Sequence, residues 1–331
     1  MQSTTQPNRT ALPLGVRRGL HQCALPNGTF AMLAMDQRGS LRRAMNLAQP
    51  DQVTYAQFIE LKRDVIAALS PYASAALLDI EYGYPACVAS GALAGSTGLL
   101  LALDKSGYEG DPTARVTTLV EGWSVERIRK ASASAVKLLI YYHPDAVNAA
   151  DQEALVATVS RQCRAWEIPF FLEPLHYSLT PGVKTVPNAE RRRLVVASAA
   201  RLVPLGVDVL KAEFPVDVAQ TADRDEWADA CAELSAACPA PWVLLSAGVD
   251  FTTYLEQTRI ACDTGASGVL CGRAVWKEAV TLPPTERIPF LQTEGIARFR
   301  QLADLVAARA RPYTDFYPPS PGDDLENWYR A

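Results

Sequence analysis

The sequence predicts an α/β fold, a single-domain (β/α)8 TIM barrel. Three observations carry this. Eight apolar runs of strand length alternate with longer segments whose apolar residues recur at helical spacing, the pattern of repeated βα units. The chain has 331 residues, enough for one such barrel of roughly 250 residues plus extensions. No linker, low-complexity stretch or internal sequence repeat divides it. A doubly wound open sheet is the competing architecture. Eight strands and no early glycine-rich βα turn place it second.

The elements follow in order. Residues 1–29 form an N-terminal extension, residues 30–310 the barrel, and residues 311–331 a C-terminal tail. Strands are expected at 30–35, 75–80, 99–103, 135–142, 169–172, 207–210, 242–245 and 268–271. Several are apolar on consecutive positions, as parallel strands covered on both faces should be. Helices are expected at 51–69, 124–131, 151–166, 189–202, 224–238 and 252–264, with a last one at about 293–310. The first carries Val53, Phe58, Ile59, Val65 and Ile66 at helical spacing. The second opens on Ser124 with Arg127 three residues on, which is half of a capping box. The tail holds Pro312, Tyr313, Phe316, Tyr317, Pro318, Pro319, Trp328 and Tyr329. Such a segment packs on the barrel or on a neighbouring subunit, so a homo-oligomer is expected. A loosely ordered end is the equal alternative.

Composition excludes several classes of function. Hydrophobic residues make up 49% and charged residues 21%, with a formal net charge of −4, the balance of a folded globular protein. With no basic block, no general nucleic-acid or membrane-surface partner is expected. No run of 18 apolar residues suggests a spanning helix, and residues 1–30 lack a signal-peptide core. There are three histidines, His21, His143 and His176, at spacings that match no metal motif, so no metal and no cofactor is expected. None of the seven cysteines forms a C-x-x-C pair. They read as reduced core thiols of a cytoplasmic protein. Lysine and carboxylate chemistry remain.

Active sites of this fold are built at the C-terminal ends of the strands. Polar residues found there are Asp36, Gln37 and Arg38 after strand one, Asp79 and Glu81 after strand two, and Asp104 and Lys105 after strand three. Strand four contains Lys137, strand five ends in Glu173, and strand six ends in Lys211. Lys137 stands in a nearly continuous apolar run, where burial without a partner is costly. Strands four, five and six would be neighbours about 4.8 Å apart, so Lys137, Glu173 and Lys211 converge if all three point inward. A second ammonium and a low dielectric both disfavour a protonated lysine. Such a lysine can attack a carbonyl to form a Schiff base. Glu173 can then move protons. A lone lysine of this kind more often forms a buried ion pair; two strand lysines flanking a strand-end glutamate reverse that preference.

Ser246-Ala247-Gly248 ends strand seven and Gly272-Arg273 ends strand eight. Loops there often bind phosphate in this fold. Small residues let backbone N–H groups approach an anion, and arginine holds it with two bonds. Asp36 and Glu81 can each orient substrate hydroxyls or pair Lys137 or Arg38, with a structural salt bridge favoured for Glu81. His176 reads as a solvated loop histidine, and Asp104-Lys105 as a loop charge pair.

These segments together resemble the class I tagatose-1,6-bisphosphate aldolase family. The resemblance is carried by Ala34-Met35-Asp36-Gln37-Arg38-Gly39-Ser40, Leu77-Leu78-Asp79-Ile80-Glu81-Tyr82-Gly83, Gly122-Trp123-Ser124-Val125 and Ala135-Val136-Lys137. It continues through Phe170-Phe171-Leu172-Glu173-Pro174-Leu175, Val207-Asp208-Val209-Leu210-Lys211, Leu245-Ser246-Ala247-Gly248-Val249 and Gly268-Val269-Leu270-Cys271-Gly272-Arg273-Ala274. No one motif is specific, but eight in order from Phe30 to Trp276 are. The resemblance implies a metal-independent lyase in which Lys211 forms the Schiff base and Glu173 is the acid/base. It places Asp36 and Lys137 against the substrate, and the ketose C1 phosphate around Ser246, Gly248, Gly272 and Arg273. Gln37 and Arg38 are counted with the substrate-binding set. The implied partner is a small-molecule sugar phosphate, a ketose 1,6-bisphosphate cleaved to dihydroxyacetone phosphate and glyceraldehyde 3-phosphate. Relatives cleave other ketose 1-phosphates, including 6-deoxy-6-sulfofructose 1-phosphate.

The chain departs from the family pattern at Ile80, at Tyr84 and after Leu175, where it reads His176-Tyr177-Ser178-Leu179-Thr180-Pro181-Gly182. These departures bear on the distal end of the substrate and leave the lysine chemistry intact. Two rivals stay open at this point. One is another Schiff-base aldolase on the same barrel, such as a deoxyribose-phosphate aldolase. The other is a sugar-phosphate-sensing regulatory protein that kept the pocket without needing turnover.

Overall fold

The computed structural model describes residues 12–183 and 185–318. Eight strands close into a parallel barrel in sequence order: β1 (Phe30–Met35), β2 (Ala75–Asp79), β3 (Gly98–Ala102), β4 (Ala135–Tyr141), β5 (Phe170–Leu175), β6 (Val209–Ala212), β7 (Trp242–Leu245) and β8 (Gly268–Cys271). Register is continuous around the ring: Met32 faces Ala75, Ala102 faces Lys137, Lys137 faces Phe171, and Phe30 faces Gly268 to close it. Expected and observed strands agree within one residue, except that β5 runs on to Leu175 and β6 is shifted by two residues, to Val209–Ala212. Pro174 sits inside β5, with Ile140 its partner in β4.

Twelve helices accompany the strands among the described residues: α1 (Leu14–Cys23), α2 (Gly39–Met45), α3 (Tyr55–Leu69), α4 (Gly83–Ala89), α5 (Val125–Lys130) and α6 (Ala149–Ala165), then α7 (Asn188–Leu202), α8 (Arg224–Ala237), α9 (Phe251–Asp263), α10 (Arg273–Trp276), α11 (Pro284–Phe290) and α12 (Ile296–Arg309). The helix expected from residue 51 starts later, because Thr54 and Gln57 form a full capping box there. The Ser124 hydroxyl accepts from the Arg127 backbone N–H at 3.2 Å, as expected for α5. The last helix begins at Ile296 after a π-helical turn, Leu291–Gly295. Helices α1, α2, α4, α10 and α11 were not expected. Three of them are seven residues or shorter and follow a strand end directly, where glycine and proline obscure the period.

The core has two layers. Between strands and helices lies a cluster that includes Leu33, Leu78, Leu101, Val136, Leu172, Leu210 and Leu244. Inside the barrel lies a second, built from Phe30, Met32, Ala34, Leu77, Leu100, Ala135, Phe171, Val209, Val243 and Leu270. The two sets alternate along each strand, because successive side chains point to opposite faces. The N-terminal end of the barrel is plugged. Val16, Leu20 and Cys23 of α1 bury fully against the inner layer. Gly19 makes this possible, since a Cβ there would fall 2.4 Å from the Ser134 carbonyl. Tyr313 stacks on Phe30 at 5.5 Å, and the Tyr317 hydroxyl donates to the Asp208 carbonyl at 2.8 Å. The start of the tail therefore packs on the barrel; Pro319, Trp328 and Tyr329 lie outside the described residues. The opposite end is left open for chemistry. No helix among the described residues is long and apolar enough to cross a membrane.

Candidate active site

The inner-face alternation continues past the apolar plug and turns polar. Two residues on from Ala34, Ala135, Phe171 and Val209 stand Asp36, Lys137, Glu173 and Lys211. All four line one cavity of about 380 Å³ at the C-terminal ends of the strands. Gln37, Arg38, Ser246, Gly272 and Arg273 line it too. A larger open groove of about 730 Å³ lies at the other end, between α1 and residues 93–99, but its lining holds no lysine and no carboxylate.

Glu173 joins the two lysines. Its Oε2 is 2.9 Å from Lys137 Nζ and 2.9 Å from Lys211 Nζ. Lys137 is fully buried and also lies 3.0 Å from Asp36 Oδ2 and 3.3 Å from Asp104 Oδ1. Burial alone would lower its pKa. Asp104, Asp36 and Glu173 outweigh burial and hold it above the ordinary lysine value. The same balance works in reverse at Asp36. Burial would raise the carboxyl, but Lys137, then Lys211 and Arg38, hold it well below the usual range. The same contacts thus favour the charged forms of both Lys137 and Asp36. Lys211 is different: among the described residues only Glu173 lies within ion-pair distance of it.

Two sequence readings are corrected here. Asp104 is no loop charge pair. It is buried, accepts from the Leu139 N–H at 2.8 Å, and pairs with both Lys137 and Arg38, while Lys105 pairs with Glu109 on the surface. His176 is no solvated histidine. Its side chain is 1% exposed, and its Nδ1 lies 2.7 Å from Glu213 Oε2 and its Nε2 2.8 Å from Ser198 Oγ. Glu213, a cavity residue two beyond Lys211, is raised by burial. His176 and Arg191 reverse this and bring its pKa down to about 2. The His176–Glu213 contact ties the loop after β5 to the end of β6. Asp104 occupied a strand end, as Asp36 does, and that signal could have found it. The partners of His176 come from α7 and β6 and leave no local trace.

Arg38 is committed to carboxylates, 3.1 Å from Glu81 and 2.9 Å from Asp104. This is the salt bridge expected of Glu81. Arg273 has no carboxylate partner among the described residues, and it faces the cavity beside Gly272. The Ser246 hydroxyl accepts from the Gly272 N–H at 3.2 Å. A Cβ on Gly272 would come within 3.1 Å of the Ala34 carbonyl and of Gln37 Nε2, so a larger residue there would press on both. Gly248, at φ +85°, packs against the Arg273 guanidinium without lining the cavity. Arg273 therefore presents its guanidinium charge to the cavity beside the Ser246 hydroxyl, with no carboxylate to neutralise it among the described residues.

Residues 30–278, from the first strand to just past the last, match the DeoC/LacD family aldolase. The chain belongs to the DeoC/LacD aldolase family. This aldolase, a carbon–carbon lyase, is 37% identical over 314 residues to tagatose 1,6-diphosphate aldolase 2 of Streptococcus mutans serotype c, covering 87% of this chain and 93% of the relative. It is 37% identical over 320 residues to tagatose 1,6-diphosphate aldolase of Lactococcus lactis subsp. lactis, covering 90% and 97%. Solved structures share the fold. An archaeal fructose 1,6-bisphosphate aldolase aligns with TM-score 0.56 at 20% identity, over 88% of this chain and 98% of the other. Fructose-bisphosphate aldolase from Plasmodium falciparum aligns with TM-score 0.69 at 13% identity, over 91% and 97%.

Proposed function

We propose that this aldolase is a class I, Schiff-base enzyme that cleaves a ketose 1-phosphate of the tagatose or fructose 1,6-bisphosphate type. The products would be dihydroxyacetone phosphate and glyceraldehyde 3-phosphate. The observation that carries the reading is the unequal setting of the two lysines. Lys137, with three carboxylates within 3.3 Å, is held as an ammonium and cannot act as a nucleophile. Lys211 has one carboxylate neighbour, and that neighbour is a proton acceptor in contact with it. The chain's similarity to tagatose 1,6-diphosphate aldolases supports the substrate class.

In this mechanism Lys211 Nζ, with its proton passed to Glu173, attacks the C2 carbonyl. The carbinolamine loses water to give an iminium. The C4 hydroxyl proton goes to Glu173, directly or through water. The C3–C4 bond breaks, its electrons pass into the iminium as an enamine, and the aldehyde leaves. Protonation of the enamine at C3 and hydrolysis release dihydroxyacetone phosphate and free Lys211. Lys137 stabilises the carboxylates and developing alkoxide around it, and Asp36 orients substrate hydroxyls. Ser246, Gly272 and Arg273 hold the C1 phosphate, with Gly248 supporting Arg273. Gln37 faces the same corner. Arg38 acts through Asp104.

The test is borohydride reduction in the presence of dihydroxyacetone phosphate, followed by peptide mapping. An adduct on Lys211 is expected. An adduct elsewhere, or none with protein that cleaves, overturns the reading. Cleavage of tagatose, fructose and 6-deoxy-6-sulfofructose phosphates, compared in one assay, reads the distal end.

A further inference from the structure

The β1–β2 ladder ends at Met35 opposite Leu78, one residue before Asp36. The backbone that presents Asp36 and Gln37 to the cavity therefore has no strand partner there. What holds it comes from outside the barrel. Lys62, on α3, reaches inward between Phe58, Leu61, Val65 and Ile66, and is 0% exposed. Its Nζ donates to the Met35 carbonyl at 2.8 Å and to the Gln37 carbonyl at 2.8 Å. It lies 2.7 Å from Asp79 Oδ2. Asp79 in turn accepts from the backbone N–H of Tyr82 at 2.7 Å and of Gly83 at 3.1 Å, where α4 begins.

An ammonium has three donors and no acceptor, and here each finds an acceptor. A buried lysine without them would be strongly disfavoured. The two carbonyls bracket Asp36, one on either side. Binding both to a single atom restrains the 35–36 and 37–38 peptides, which flank the Asp36–Gln37 pair, and so the direction the Asp36 carboxylate takes toward Lys137. A neutral apolar side chain at 62 would leave both carbonyls without that donor. We infer that Lys62 is a positioning residue: it continues the sheet's hydrogen bonding beyond the last ladder pair and aims Asp36 and Gln37 at the substrate. This rests on the reading of Asp36 as a substrate-facing carboxylate. A group that acts only on packing would alter stability alone. One that aims a reacting constellation alters turnover, because misplacement by about 1 Å can cost on the order of 100-fold.

The test compares Lys62→Met and Asp79→Asn with the wild-type aldolase. Melting temperature is measured, and kcat is normalised to the fraction of sites trapped by borohydride with dihydroxyacetone phosphate. Asp79→Asn leaves the two carbonyl bonds of Lys62 in place and should lower stability while keeping kcat per trapped site within about twofold. Lys62→Met should lower kcat per trapped site by about 10- to 100-fold with KM within about threefold, since Ser246, Gly272 and Arg273 make no contact with Lys62. An unchanged kcat per site in Lys62→Met, whatever its stability, overturns the inference. So does an equal loss in Asp79→Asn. Should Lys62→Met not fold, the double variant Lys62→Met/Asp79→Asn, which leaves no unpaired buried carboxylate, is read against Asp79→Asn by the same criterion. Adduct formation at Lys211 in the wild type is scored separately, so failure of the Schiff-base reading is distinguishable from failure of this one.

Discussion

Replacing Lys137 by methionine keeps much of the volume and removes one charge from the middle of three carboxylates. At about 3 Å and an effective dielectric near 20, each pair contributes on the order of 5 kcal/mol of gross attraction. Most of that is offset by desolvation. Breaking a buried pair by deleting one partner costs about 3–5 kcal/mol net. For a chain of 331 residues the melting entropy is of order 0.7 kcal/mol/K, so Lys137→Met should melt roughly 4–7 °C lower near pH 7.5. The pH dependence separates this from lost packing. Lys137 is raised in the folded state, so its contribution is complete below the unfolded lysine value near 10.4 and is lost only in alkali. Asp36 is depressed, so its contribution is present above about pH 4 and is lost as acid protonates it. In the variant the three carboxylates crowd one another, and one takes up a proton at higher pH. The stability gap should therefore narrow steadily between about pH 8 and pH 5. Thermal melts across that range decide it. A gap below about 1 kcal/mol at pH 7.5, or one that does not change with pH, would refute the three-carboxylate account of Lys137.

Other expectations follow from the same geometry. Lys211→Ala should lower cleavage by at least about 1,000-fold and abolish borohydride trapping, with the fold retained by circular dichroism. Arg273→Gln should raise KM for phosphorylated ketoses by about 10- to 100-fold with a smaller change in kcat, which steady-state kinetics reads directly. Glu213, held at about 2 by His176 and Arg191 against burial, supplies stability that is present above its unfolded value near 4.3 and lost as pH falls toward 2. Glu213→Gln should remove up to about 3 kcal/mol at neutral pH and flatten the acid limb of the stability curve in denaturant titrations. Chelator treatment should leave turnover unchanged, because every step of the proposed mechanism runs on Lys211 and Glu173; a loss restored by added metal would contradict that.

The barrel was legible because it rests on local information. Strand-length apolar runs and the period of the segments between them are set by neighbours in sequence, so the order of β1 to β8 could be read without a single contact. The candidate site residues were legible for a related reason. A strand pleat sends every second residue inward, and Asp36, Lys137, Glu173 and Lys211 each continue the inward face of an apolar strand. Other features depended on pieces far apart in the chain. Asp104 and Lys105 read alike as loop charges. Closure of the sheet sent one into the cavity against Lys137 and Arg38 and left the other on the surface with Glu109. Lys62 carries no local signal of its role; packing of α3 against the end of β1 buries it. His176 read as a loop histidine until α7 and Glu213 enclosed it. The sequence by itself determined which polar residues stand at the strand ends, since apolar runs mark the strands; that their shared face is the inner one is shown by closure of the barrel. Which charges meet there, and how many carboxylates surround each lysine, only the tertiary structure decided. An ammonium's reactivity depends on how many carboxylates lie within about 4 Å of it, and that number is set by which strands and helices are brought together.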